Sequence, residues 1–195
     1  MEGIGALYFM HIDCDEIDRY LSVVVNIESE IAAPLSQKEL FRVVLWIGSN
    51  ENRFAQLMHL FLAGEYRIVQ RSSWIVSSCV ERHPRLVTPW LPKLIRRAKE
   101  EGLHGAVRRN ILRLLQFVDI PRRYQGEVTE MCFTFLASVD SPVAVKVFSM
   151  TVLATIAAEE PDLKNELRPL LEQMLPYGSA GMQSRAKKIL QRLSR

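Results

Sequence analysis

The sequence predicts an all-α protein, an α-α superhelix of about four stacked helix pairs preceded by N-terminal capping helices. Three observations lead there. Ala106-Val107-Arg108 returns 38 residues later as Ala144-Val145-Lys146, and each copy opens an apolar run, Ile111 to Leu115 in one and Ser149 to Leu153 in the other. The same step backward lands on Ile68-Val69-Gln70-Arg71 ahead of Trp74-Ile75-Val76, and forward on Gly181 to Arg185 ahead of Ile189-Leu190. From residue 51 onward no alternating strand pattern competes, and no linker or low-complexity stretch interrupts.

The elements follow in chain order. Residues 1–35 form an acidic N-terminal segment and residues 36–195 the repeat domain. In the first, Ile17, Leu21, Val24 and Ile31 are spaced for an amphipathic helix from about Glu16 to Ile31, ended by Pro34, although Leu21 to Ile27 also fits a buried strand. Ser36 with Glu39 three residues on is a capping box ahead of Leu40, Val43, Val44 and Ile47, and Gly48-Ser49-Asn50 stops that helix. Helix pairs then follow at 51–63 with 66–82, 85–101 with 105–118, 121–138 with 142–158, and 162–176 with 181–194. Glycines 64, 102 and 105 mark turns, and prolines 121 and 142 suit first helical positions.

Composition limits the function classes. A chain of 195 residues, 48% hydrophobic and 24% charged, buries enough surface to fold without a metal or disulfide staple. Cys14, Cys79 and Cys132 lie far apart and form no CxxC pair, which fits a reducing cytoplasm and speaks against a zinc site. No apolar stretch is long enough to span a membrane, and no base precedes Arg19 as a signal peptide would require. The net charge of +3 is uneven: residues 1–50 hold eight acids and three bases, leaving 14 acids and 22 bases for the rest.

Asp140-Ser141-Pro142-Val143-Ala144-Val145-Lys146, followed by Ser149 and Leu153, resembles the HEAT-repeat signature, with its turn aspartate, its Val-Arg pair, a small residue and a leucine at helical spacing. Val107-Arg108, Ile111 and Leu115 repeat it with a larger residue in the small slot, and Val69-Gln70 with Ser73 and Ser184-Arg185 match more weakly. The resemblance covers roughly residues 51–195 and implies four HEAT-like pairs whose second helices line a concave face. It also implies a scaffold role and carries over no chemistry. Asp140 is expected to cap the helix that follows it, with Ser141 as the competing cap.

The second helices carry eleven bases and no acid over the windows 66–80, 105–118, 142–158 and 181–195. The candidate binding residues are Arg71, Trp74, Arg108, Arg109, Arg113, Lys146, Arg185 and Lys188. Two readings stand: a basic groove for an anionic partner, or bonds that tie repeats together and a polar end cap. Arg71, Arg109 and Arg185 share one phase of a 38-residue count, but Val147 interrupts the row and splits the patch in two. Trp46, Trp74 and Trp90 invite comparison with DNA alkylation-repair glycosylases of HEAT architecture, yet the second-helix windows offer no catalytic carboxylate.

His11-Ile12-Asp13-Cys14-Asp15-Glu16 holds possible metal ligands but reads as an acidic helix start. His59, His83 and His104 stand apart from any nucleophile, and no GxGxxG, Walker, HExxH or GxSxG pattern occurs. The expectation is a non-enzymatic, cytoplasmic binding module, monomer or homodimer, with no cofactor, no metal and no membrane. Its basic groove would hold an acidic protein segment, with nucleic acid as the alternative. The acidic segment 1–35 is a candidate competitor for that groove.

Overall fold

The computed structural model describes residues 26–34 and 36–194. The structure is 80% helical, with ten α-helices and no strand among the described residues. They are α1 (Ile27–Ala32), α2 (Gln37–Ile47), α3 (Glu51–Ala63), α4 (Tyr66–Arg82), α5 (Leu91–Lys99), α6 (Gly105–Leu115), α7 (Arg122–Ala137), α8 (Val143–Ile156), α9 (Pro161–Met174) and α10 (Ala180–Leu193). The chain divides into two compact units, up to Cys79 and from Val80 onward, with the boundary inside α4. Of the helix expected over 16–31, only α1 is described; its earlier part, and the His11 to Glu16 cluster, lie outside the described residues.

The first unit is built on good caps. Asn26 Oδ1 accepts from the Ser29 amide at 3.2 Å and so opens α1. The capping box at α2 is present in both directions: the Ser36 amide donates to Glu39 Oε2 at 2.7 Å, and Ser36 Oγ accepts from the Glu39 amide at 3.3 Å. The Ser36 amide first, and its hydroxyl second, hold the Glu39 carboxyl below its ordinary value of 4.5. Helix α2 stops at Gly48, whose φ of +49° favours glycine. Asn50 then caps α3, accepting from the Arg53 amide at 3.0 Å. Gly64 permits the close turn into α4, because a Cβ there would stand 2.4 Å from the Leu60 carbonyl oxygen. Phe54, Leu57, Met58 and Phe61 of α3 are buried, as are Val43, Val44 and Ile47 of α2.

The second unit departs from the expected single helix over 85–101. Pro84–Trp90 form a 3-10 helix, and the α-helix starts only at Leu91. Prolines 89 and 92 supply no N–H, so an α-helix running through them would lack two of its bonds. Prolines 121 and 142 stand one residue before their helices, at the N-cap, whereas Pro161 takes a first-turn position of α9. Helix α8 packs on α6, α7, α9 and α10, while α5 packs on α6 and α7. First helices α5, α7 and α9 thus back a row of second helices in the order α6, α8, α10. Leu115 and Leu153 sit in this shared core at 1% and 0% exposure.

Asp140 does not cap α8. Its side chain is exposed, the N-cap is Pro142 without a side-chain bond, and the turn is closed by the Ser141 amide donating to the Ser138 carbonyl at 3.4 Å. At two residues before the N-cap, Asp140 is set too far back for the amides that a cap serves.

Candidate binding surface

Burial fixes the register of the second helices. Val107, Ile111, Leu112, Leu114 and Leu115 of α6 are matched 38 residues on by Val145, Ser149, Met150, Val152 and Leu153 of α8, all buried. From α8 to α10 the step is 37: Val145, Ser149, Val152 and Ile156 correspond to Met182, Ala186, Ile189 and Leu193. The equal count of 38 expected from sequence fails at this step. Arg185 therefore stands at the phase of Phe148 and Asn110, not at that of Val147 and Arg109.

The basic residues separate into two kinds. In the first unit, Arg71 donates to the carbonyls of Ile31, at 3.0 Å, and Ala32, the last turn of α1. Trp74 is half-buried and meets the Phe41 ring edge-on, centroids 5.5 Å apart at 86°. In the second unit, Arg108 donates to the carbonyls of Ala98 at 2.9 Å and Glu100 at 2.7 Å, closing the C-terminus of α5, and its guanidinium lies 5.2 Å from the Phe135 ring. Arg168, absent from the sequence-derived set, serves α10 the same way by bonding the Leu193 carbonyl at 3.0 Å. Arg113 pairs with Glu81 at 2.6 Å. Ending the second-helix window at residue 80 hid this carboxylate, because α4 runs on to Arg82.

Arg109 and Lys188 are exposed, and Lys146 and Arg185 half-buried; none of the four has a side-chain partner among the described residues. The same holds for the exposed Lys187 and Arg192 of α10. Lys146 follows the line of Met150 and Leu153, so it sits at the edge of α8 rather than on its free face.

That free face of α8 was not legible as a feature in itself. It consists of Ala144, Val147, Phe148, Thr151 and Thr155, with Val143 exposed at its start. Thr151 Oγ1 donates to the Val147 carbonyl and Thr155 Oγ1 to the Thr151 carbonyl, each at 3.1 Å. With the hydroxyls bonded to their own helix, the threonines contribute their methyl groups to the surface. The equivalent positions on α6 include Arg109 and Arg113, and on α10 Arg185, Lys188 and Arg192.

Other chemistry is sparse. Cys79 and Cys132 are buried, and burial pushes the Cys132 thiol up to about 12, the nearby Ser149 hydroxyl offsetting this in part. An open recess of about 390 Å³ lies on the first-helix side, lined by Arg122, Gln125, Gly126, Thr129, Ile156, Glu160 and Leu163. It holds none of the predicted site residues. Among the described residues no group of His, Cys, Asp and Glu converges on a metal position, and no helix is long and apolar enough to cross a membrane.

One family model, the HEAT repeat domain, matches residues 27–193. The chain belongs to the HEAT-repeat family. The match begins at α1, so it takes in the N-terminal helices as well as the four pairs. No curated protein and no solved structure matches the chain. HEAT repeats are commonly protein-interaction scaffolds and typically non-enzymatic.

Proposed function

We propose that this HEAT-repeat protein is a non-enzymatic binding module that holds an acidic protein partner against the second helices of its C-terminal unit. One observation carries the reading. Helices α6, α8 and α10 form a single row and contain no acidic residue, and Arg109, Arg185, Lys188 and Arg192 on their free faces have no described side-chain partner. Bases that close helix ends, such as Arg108, are explained by folding; these four are not. An unbalanced row of cations raises the local concentration of anionic ligands. Arg71 and Trp74 are engaged within the N-terminal unit and are left out of the proposed surface.

The same cations favour a second reading, phosphate contacts to nucleic acid. A pull-down from native lysate, with and without nuclease, compares the wild type with the triple variant R109Q/R185Q/K188Q. The acidic-partner reading expects a defined protein retained after nuclease and lost from the triple variant, with the melting temperature nearly unchanged. Loss on nuclease treatment would favour nucleic acid. Equal retention by wild type and triple variant would remove the basic surface from the function.

A further inference from the structure

We propose that the partner segment is an amphipathic acidic helix, seated lengthwise on the free face of α8 with carboxylates directed to both flanking helices. This rests on the reading above and adds the shape and polarity of the ligand. The surface of the C-terminal unit is not uniformly basic. Its centre is an uncharged strip of Val147, Thr151 and Thr155, with Phe148 beside it, and the threonine hydroxyls are already bonded to backbone. Its two edges are basic: Arg109 and Arg113 on α6, and Arg185, Lys188 and Arg192 on α10. Position by position across the row, Arg113, Thr151 and Lys188 are equivalent. That row has a base on both sides of a methyl group, whereas Val147 has Arg109 on its α6 side and Ser184 on the other, and Thr155 has Arg192 on its α10 side and Phe117 on the other.

Such a pattern selects its occupant. Packed helices lie about 8–10 Å apart, so the two basic edges are separated by roughly 16–20 Å. An α-helix with its side chains is about 10–12 Å across and can present an apolar stripe downward while its flanking carboxylates reach both edges. An extended peptide alternates its side chains between two opposite faces, so it cannot press one apolar stripe on the strip and direct carboxylates to both edges. A nucleic-acid backbone gains from phosphate contacts and nothing from a methyl-lined centre, which lacks donors for it. Arg113 is partly neutralised by Glu81, so the α6 edge relies on Arg109 and the α10 edge is the stronger.

The test uses the full chain and fluorescence anisotropy with three probes. The first is a labelled peptide of about 18 residues with Leu at i, i+3, i+4 and i+7 spacing and Glu on both flanks. The second is the same composition with the leucines dispersed, and the third a single-stranded oligonucleotide. The first probe is expected to bind at least about tenfold more tightly than the second. Val147→Lys adds a cation yet obstructs the strip, so it is expected to weaken the first probe about fivefold or more. Thr155→Lys, at an exposed position that folding does not depend on, repeats the test if Val147→Lys lowers the melting temperature. Equal binding of the two peptides, or tighter binding of every anionic probe to both lysine variants, would overturn the seated helix while leaving the basic surface standing. Failure of all three probes at low salt would overturn both.

Discussion

Helices α6 and α8 stand one repeat apart and bury matching positions, yet they present opposite surfaces. At the phase nearest the neighbouring pair, Arg108 of α6 closes the end of α5 through two carbonyls, whereas Lys146 of α8 has no described side-chain partner. At the free phase, α6 carries Arg109 and Arg113 where α8 carries Val147 and Thr151. At the core phase, Ile111 fills its site with hydrocarbon, whereas Ser149 brings a hydroxyl that makes no hydrogen bond of ordinary geometry. A repeat thus constrains its buried apolar positions tightly. The polar positions of each copy are left to local need, and the difference between copies is where a binding surface can be written.

The buried equivalence is the strongest part of the comparison and gives the largest expected effect. Leu115→Ala and Leu153→Ala should each lower stability by about 2–5 kcal/mol, since both side chains are almost wholly enclosed and the neighbours cannot fully close the cavity. Urea titration of the two variants checks this. A loss below about 0.5 kcal/mol in either would mean that the two helices do not share one register.

Adjacent arginines provide the next contrast. Arg108→Gln should cost about 1–2 kcal/mol, because two carbonyls at the end of α5 lose a charged donor. Arg109→Gln and Lys146→Gln should each stay within about 0.5 kcal/mol, as surface changes without bonded partners do. Equal losses at 108 and 109 would erase the distinction between end-closing and free bases on which the proposed surface depends.

Much of this architecture is legible in the chain because apolar periodicity is imposed by burial, and burial is what stacks the pairs. The repeated Val-Arg motif, the Ser36 capping box and the proline and glycine stops all correspond to observed elements. Four things were not legible. Pro89 falls within an otherwise helical pattern, and only tertiary packing decides that the chain crosses it in a 3-10 helix and begins α5 at Leu91, with Pro92 in its first turn. The step from α8 to α10 is one residue short, a change invisible to motif counting because Arg185 mimics the expected phase. The fate of each guanidinium depends on where a neighbouring helix ends, so Arg71, Arg108 and Arg109 look alike in sequence and differ in space. The absence of charge on the free face of α8 was visible only as a break in a basic row, because a threonine reads as polar until its hydroxyl is seen bonded to its own helix.

The smallest expected effect concerns Ser149, and it sharpens the core side of the comparison. Its hydroxyl is fully buried without a proper partner, whereas Ile111 at the same phase has nothing to satisfy. Ser149→Ala should therefore stabilise the protein, by about 0.5–1 kcal/mol, by removing a buried hydroxyl whose approach to the Cys132 thiol falls short of a hydrogen bond of ordinary geometry. The substitution also bears on Cys132. Burial raises that thiol from its ordinary 9.0 to about 12, and the Ser149 hydroxyl opposes the rise. Below pH 9 both folded and unfolded states keep the proton, so the thiol adds no pH dependence. As pH climbs from 9 toward 12, the unfolded thiol ionises while the folded one stays protonated, and stability falls with a slope of at most about 1.4 kcal/mol per pH unit. Urea titrations between pH 8 and about 10.5 should show this fall in the wild type, unchanged in Ser149→Ala because the folded thiol already keeps its proton over that range, and reduced in Cys132→Val. Should Ser149→Ala prove destabilising at neutral pH, the hydroxyl must be bonded after all, and the small slot of α8 would be as well satisfied as its counterpart in α6.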